Sequence, residues 1–168
     1  DNLPATGTFN LGATTPGVTD NDPTASEIVG TVTGSLRTGL QALRTYRLGR
    51  GALCAPDLDT DATVIAELKA LGLPYFRTPF TSSQPGATLS TVLTQRAAWN
   101  DNGTDFLFPR VRDLDPLTKQ AVTYPAIGHV VATWYKEIAL KGPGKAPAGG
   151  AFTIDGALGI ERASNGES

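Results

Sequence analysis

The sequence predicts an α/β fold with a mostly parallel sheet flanked by helices. Short apolar runs bounded by turn residues alternate with segments of helical period, a pattern typical of βαβ units with right-handed crossovers. The 168 residues are 40% hydrophobic and 18% charged, which is enough apolar material for one domain with its own core. We therefore predict a loop-rich N-terminal segment over residues 1–22 and an α/β domain over residues 23–168.

The first predicted elements surround the change in composition at Pro23. Residues 1–22 are rich in Thr, Gly, Pro and Asn, which predicts a loop with one short strand over residues 9–13. From Pro23, a Thr/Ser cap signal, a Glu in the first turn and apolar residues at helical spacing predict a helix that extends to Leu43. Glycines inside this pattern weaken a helix, so two shorter helices fit as well as one. These are Gly30, Gly34 and Gly39.

The remaining elements alternate along the chain. The apolar run Gly51–Pro56 predicts a buried strand that contains Cys54. Asp61 caps a helix with Val64, Ile65, Leu68 and Leu71 on one face, and Gly72 supplies its end. The other predicted elements are strands over 74–80 and 105–109, and helices over 88–99 and 128–140. Trp99 and Trp134 fall in these helices, where we expect them to be core residues.

Charge and cysteine content exclude several classes of protein. The formal net charge is −2 and no basic face is predicted, so we expect no nucleic-acid partner. No apolar run approaches the roughly 20 residues that a membrane span requires. A lone cysteine cannot form an intramolecular disulfide, which excludes a disulfide scaffold. Because the sequence has no Met at all, we expect the chain to be a piece of a longer protein.

Two stretches resemble ligand-binding loops but lack required residues. The stretch KGPGKAPAGG (residues 141–150) follows a predicted helix rather than a strand, and Ala146 lies where a phosphate-binding loop has Ser or Thr. The stretch DLDTD (residues 57–61) resembles the start of a calcium loop, yet Ala62 and Leu68 replace the required Gly and Glu. We expect no cofactor and no metal site in either stretch. The glycines of residues 30–39 likewise lack the strand-then-helix context of a dinucleotide site.

Few residues of this sequence are candidates for a catalytic site. His129 is the only histidine, so any Ser-His-Asp or Cys-His site must include it. Cys54 lies in a predicted buried strand, where a thiol behaves as a small apolar group. Asp113 and Asp115 could serve as a carboxylate pair, although any acidic loop offers such pairs. We expect no catalytic residue, and His129 to be structural or exposed.

From residue 12 to residue 161, the order of local signals resembles the tail sheath proteins of contractile bacteriophages. The likeness is strongest in the last third, VRDLDPLTKQAVTYPAIGHVVATWYKEIALKGPGKAPAGGAFTIDGALGIE. There a strand leads into an Asp-Pro loop, then a helix, then a Lys-Ala-Pro-Ala loop. The matching residues are Asp115 and Pro116, Gly128 and His129 at the helix start, and Lys145, Ala146, Pro147 and Ala148. The segment YPAIGH has one Pro where the family usually has two and a Ser, and WYKEIAL lacks the family's frequent Arg and Asp.

The resemblance implies a structural role without enzymatic activity. Sheath proteins have a central subtilisin-like α/β domain without a catalytic triad. They stack as rings around the tail tube and contract to drive it through the host envelope. The partners implied are other copies of the chain and the tube protein, and the location implied is the virion. The family's N-terminal arm and C-terminal domain are absent here, so we expect a monomer in isolation. In this interpretation KGPGKAPAGG is a rigid, proline-fixed loop.

Two alternatives remain open from the residues alone. One is a small hydrolase that uses Cys54 or His129, which predicts a fast-reacting thiol at neutral pH. The other is a ligand-binding module, which predicts that a small molecule raises the melting temperature.

Overall fold

The computed structural model describes residues 23–99, 103–142, 154 and 156–161. The strand predicted over residues 9–13, the whole segment 1–22 and the Lys145–Ala148 motif lie outside the described residues. The helices are α1 (Ala25–Val29), α2 (Ala62–Gly72), α3 (Leu89–Ala98) and α4 (Ile127–Lys141). The strands are β1 (Val32–Thr33), β2 (Leu36–Arg37), β3 (Gly51–Leu53), β4 (Arg77–Ser82), β5 (Asp105–Leu107), β6 (Val111–Leu114), β7 (Ala121–Tyr124) and β8 (Gly159–Ile160).

Strands β3, β4 and β5 form a three-stranded parallel sheet in chain order. Gly51 of β3 is opposite Arg77 of β4, and Phe80 of β4 is opposite Asp105 of β5. Helices α2 and α3 supply the connections between these strands, as parallel pairing requires. The predicted βαβ alternation is therefore confirmed for this half of the chain.

Helix α2 forms as the sequence predicts and supplies three of the four buried residues of the main apolar cluster. The Asp61 carboxylate accepts hydrogen bonds from the backbone N–H groups of Thr63 (2.9 Å) and Val64 (3.0 Å), which satisfies the first turn. All four apolar side chains of the predicted face are buried. Three of them, Val64, Leu68 and Leu71, pack in one cluster with Leu53 of β3.

Helices cover both faces of the parallel sheet. Gly72 of α2 lies against Pro79 of β4, where an added Cβ would come 2.8 Å from the proline Cγ. The next residue, Phe80, packs its ring on Trp134 of α4 at 5.7 Å between centroids. Because consecutive strand side chains point to opposite faces, α2 and α4 lie on opposite sides of β4.

A second sheet, which is antiparallel, was not predicted from the residues. Strand β6 lies between β7 and β8, with Val111 opposite both Tyr124 and Ile160. The prediction of a mostly parallel sheet is thus only partly right: the fold is mixed α/β, with one parallel and one antiparallel three-stranded sheet among the described residues. The strands of this second sheet are only two to four residues long. Each also exposes an apolar side chain (Leu114, Val122 and Ile160), which departs from the apolar-in, polar-out alternation that marks a strand.

The single long helix predicted from Pro23 is wrong, and of the two shorter helices that fitted equally well only the first forms as an α-helix. Thr24 and Glu27 form a reciprocal capping box that starts α1, but the helix ends at Gly30, which has φ 77°. A β1–β2 hairpin follows before a 3₁₀ turn over Gly39–Leu43. Gly30 and Gly39 approach so closely that a Cβ on either would come 2.8 Å from the other's backbone nitrogen. Close backbone approach, rather than helical propensity, explains these glycines.

The other boundaries shift by a few residues. Residues 73–75 form a 3₁₀ turn, so the strand predicted over 74–80 begins instead at Arg77. The left-handed residue after the turn is Phe76 (φ 58°) rather than Gly72, whose role is the close contact with Pro79. The buried Arg77 guanidinium donates to the carbonyl oxygens of Leu43 (2.6 Å), Thr45 (2.7 Å) and Gly49 (3.2 Å).

Candidate functional site

Three polar side chains from successive strand ends meet at the carboxyl edge of the parallel sheet. Asp59 follows β3, Ser82 is the last residue of β4, and Arg110 lies three residues after β5. In open α/β sheets this edge is where ligands and catalytic groups are usually held. All three residues are buried, with Asp59 only 3% exposed and Arg110 6% exposed. We take this polar cluster as the first candidate site.

The three side chains bond to one another. The Arg110 Nη1 atom lies 3.3 Å from Asp59 Oδ2 and 3.2 Å from Ser82 Oγ, and it donates a 2.7 Å hydrogen bond to the carbonyl oxygen of Ser83. The Ser82 hydroxyl also donates to Asp59 Oδ2. A buried charge requires a partner and further hydrogen bonds, and this network supplies both.

Burial dominates the electrostatics of the polar cluster. It raises the pKa of the Asp59 carboxyl, and the Ser82 hydrogen bond and the Arg110 charge offset this only in part. Two buried atoms, Ser83 Oγ and Arg110 Nε, have no hydrogen-bond partner among the described residues. The cluster could polarise or bind a small polar molecule only if its cover were removed, since its charged atoms do not reach the surface.

His129 is held by a carboxylate in the antiparallel sheet. It lies in the first turn of α4, and its Nε2 atom is 3.3 Å from Asp113 Oδ2 of β6. Both side chains are partly buried. A His–carboxylate pair is two thirds of a hydrolytic triad. However, no hydroxyl or thiol hydrogen-bonds to this imidazole among the described residues, since the Thr133 hydroxyl bonds the His129 backbone carbonyl.

Cys54 is not buried in a strand as predicted. Strand β3 ends at Leu53, the residue before Cys54. The Cys54 side chain is therefore exposed, and it lines a cavity beside β3. Partial burial raises the pKa of its thiol, which lowers the fraction of reactive thiolate at neutral pH. The geometry therefore gives this cysteine no activating partner among the described residues.

The cavity beside Cys54 has a volume of about 390 Å³ and mostly apolar walls. The apolar walls come from α1, from the 3₁₀ turn at Leu40 and from the segment after β3. Two exposed carboxylates, Glu27 and Asp57, also line it. Its volume is within the range of small-molecule sites.

A second cleft lies at the amino ends of β3 and β4. It has a volume of about 520 Å³ and is lined by Phe76, Trp134 and Tyr135 together with Arg50. The Arg50 guanidinium lies 5.5 Å from the Phe76 ring centroid. The Tyr135 hydroxyl accepts a 3.1 Å hydrogen bond from the Ala52 backbone N–H, which fixes one wall of this cleft.

The residues that carry the family resemblance lie in two described places. Asp115 and Pro116 form the turn between β6 and β7, and Gly128 and His129 open α4, as predicted. The Asp113–His129 pair connects these places, because Asp113 precedes the turn on β6. Gly128 is exposed and its missing side chain borders open space.

Sequence reasoning did not find the polar cluster. In the sequence, Asp59 belongs only to the calcium-loop-like stretch DLDTD, for which we expect no metal site, and no motif includes Ser82 or Arg110. A signal was present, because a polar residue closely follows each of three successive predicted strands, and the carboxyl ends of parallel strands meet at one edge.

No group of three His, Cys, Asp or Glu side chains in the described ranges is arranged to hold a metal ion. No helix in those ranges is long and apolar enough to cross a membrane. The sequence matches no model of a known protein family, and no curated protein matches it.

Proposed function

We propose that this chain is the central domain of a contractile tail sheath subunit, with a subtilisin-like α/β fold that lacks a catalytic triad. The observation that carries the proposal is that the three side chains of the polar cluster bond to one another. Arg110, Ser82 and Asp59 occupy the edge where an α/β enzyme would hold its reacting groups, and they bond to one another inside the domain. This suits a domain that has to move as a rigid body.

The resemblance adds the functional part of the proposal. The helices on both faces of the parallel sheet are compatible with a subtilisin-like domain. The Asp115 turn and the start of α4, two of the matching motifs, are joined through the Asp113–His129 pair. A pair of this kind holds the turn in a fixed position relative to the core, which a subunit needs if its surface is to pack repeatedly on neighbours.

The experiment is to identify the protein in purified contractile particles. Sheaths are contracted, separated from their tubes and analysed by mass spectrometry. We expect peptides of this chain in the sheath fraction, and we expect the chain to be as abundant there as the main sheath protein. Peptides found only in the tube or baseplate fraction, or in no particle fraction, would overturn the proposal.

A ligand-binding module is the second candidate, and the aromatic cleft favours it. Arg50 beside Phe76, Trp134 and Tyr135 would suit a flat, anionic molecule. Thermal unfolding in the presence of a library of aromatic carboxylates tests this hypothesis. A rise in melting temperature that Arg50→Ala abolishes would favour the module over the sheath domain.

A further inference from the structure

The β6–β7 turn presents an apolar side chain to solvent on a well-ordered support. Leu117 is 90% exposed, the largest value among the large hydrophobic residues described. Exposed leucines are ordinary on flat surfaces, but this one is at the tip of a turn with Pro116 beside it. A single exposed leucine is not evidence of an interface by itself, so the shape and charge of a complementary surface have to carry the argument.

Hydrogen bonds to Asp115 fix this tip. Its carboxylate accepts from the Leu117 backbone N–H (2.8 Å) and from the Thr118 hydroxyl (2.7 Å). Its backbone carbonyl accepts from the Lys119 N–H, and its own N–H donates to the Gln120 carbonyl, both at 2.9 Å. A tip ordered before binding loses little conformational freedom when it docks.

The cavity beside Cys54 is complementary to the tip. Its walls include the apolar side chains of Ile28, Leu40 and Leu58, and its volume of about 390 Å³ leaves room for Pro116 together with Leu117. Because Leu117 is 90% exposed, it does not occupy this cavity in its own chain. The tip could therefore enter this cavity only in a second copy of the chain.

Charge complementarity favours the same pairing. Glu27 and Asp57 line the cavity, and Lys119 is two residues after Leu117 on the tip. The Glu27 carboxylate accepts hydrogen bonds from the backbone N–H and the hydroxyl of Thr24, each at 2.7 Å, which lowers its pKa and keeps it charged at neutral pH. A lysine that arrives with the tip would meet two negative charges at the cavity. The Asp115 carboxylate of the same tip is instead bound to the Leu117 N–H and the Thr118 hydroxyl within the turn.

We propose that the Pro116–Leu117 tip of one copy docks into the Cys54 cavity of a second copy, with Lys119 facing Glu27 and Asp57. The two surfaces are different patches of the same chain, so the contact is head-to-tail. Such contacts propagate into rings or open helical arrays instead of closing as a dimer. The inference rests on the proposed sheath function in that it names one contact of the helical lattice. A single small contact of this kind is weak in dilute solution and becomes effective when other contacts hold the subunits close together.

Cys54 makes the contact directly testable, since it is the only cysteine of the chain. In Leu117→Cys, docking brings the new thiol next to Cys54 of the neighbour, and mild oxidation with diamide should link them. We expect a ladder of disulfide-linked dimers and larger oligomers at high protein concentration, with a Cys54–position 117 peptide found by mass spectrometry. The matched control is Leu140→Cys, whose leucine is 68% exposed on α4 and which should give at least tenfold less oligomer.

Charge variants test whether Lys119 of one copy faces Glu27 and Asp57 of the other. In the Leu117→Cys background, Lys119→Glu should reduce cross-linking several-fold, and adding Asp57→Lys should restore it. Equal cross-linking at positions 117 and 140, no cross-linking at position 117, or an intramolecular link to Cys54 would each overturn the proposal. A cross-link that appears only after residues 1–22 are removed would also overturn the proposal, because that segment would then be the occupant of the Cys54 cavity. If the ladder forms but particles lack the chain, the contact stands and the sheath function fails.

Discussion

Asp59 and Arg110 meet at the carboxyl edge of the parallel sheet, with Asp59 Oδ2 3.3 Å from Arg110 Nη1. They are 51 residues apart in the chain, and each follows a different strand of the sheet. Their side chains are only 4% and 7% exposed. The pair therefore connects the two outer strands of the parallel sheet, with Ser82 of the central strand between them.

Removal of one member of this pair should destabilise the domain strongly. Asp59→Ala leaves the Arg110 guanidinium buried without its counter-charge, a change that typically costs about 3–5 kcal/mol of unfolding free energy. Urea denaturation of wild type and variant measures the loss. The double variant Asp59→Leu/Arg110→Met should be less destabilised than Asp59→Ala, because it buries no unpaired charge. A loss below about 1 kcal/mol, the usual value of an exposed pair, would contradict this account.

The same carboxyl should make stability depend on pH. Burial raises the Asp59 pKa, so the folded state keeps the proton at pH values where the unfolded state, with a pKa near 3.9, has lost it. Stability contributed by the protonated form is therefore lost as pH rises from about 3.9 through the raised pKa. Urea denaturation at several pH values should show wild type losing stability over this window relative to Asp59→Asn. The opposite slope would mean that Arg110 outweighs burial.

The elements that can be predicted correctly from the sequence are those that local signals specify. The cap at Asp61 and the apolar face of α2 are recognisable because the helix and its packing use the same residues. The β1–β2 hairpin and the Gly30–Gly39 contact depend on backbone approach between segments, which local propensity does not encode. Tertiary contacts therefore decide the region where one long helix or two shorter helices were predicted.

The candidate site was harder to predict than the fold. His129 could be placed at a helix start from sequence, but its partner Asp113 lies on β6, a strand that only the family resemblance indicated. Cys54 was misplaced because β3 ends at Leu53, three residues before the predicted end at Pro56, which leaves Cys54 outside the strand and exposed. The Cys54 error is one of strand boundary. Strand β6 is hard to recognise because its residues, VRDL, do not alternate between apolar and polar.

The α2 face should account for a large share of domain stability. Leu68 is fully buried within the cluster that includes Leu53 and Leu71, so Leu68→Ala should lower the unfolding free energy by about 2–5 kcal/mol. The control is Leu93→Ala on α3, because Leu93 is 55% exposed and surface changes usually stay within about 0.5 kcal/mol. Thermal and urea unfolding of both variants measure the difference. Similar losses for the two would mean that α2 is not part of the main core.

The Cys54 thiol should react slowly at neutral pH. Its pKa is raised by partial burial, so less thiolate is present than in free cysteine. The rate with a disulfide reagent such as DTNB at pH 7 should be below that of the same cysteine in the urea-unfolded protein and should increase steeply as pH rises toward 9. His129→Ala should leave this rate unchanged, because the His129 imidazole bonds Asp113. A fast reaction that His129→Ala slows would favour the hydrolase hypothesis.

Protonation of Asp115 should loosen the tip that carries Leu117. Hydrogen bonds from the Leu117 N–H and the Thr118 hydroxyl lower the Asp115 pKa. The ionised carboxylate therefore stabilises the turn above the pKa of an unfolded Asp, near 3.9, and this support is lost as pH falls through the lowered value. Amide hydrogen exchange should give a Leu117 protection factor that is constant from pH 7 to pH 5 and falls at lower pH. Asp115→Ala should show the low value at every pH, while an amide of α2 in the same sample reports whether the core stays folded. If the Leu117 protection in Asp115→Ala equals that of wild type, the carboxylate does not order the tip.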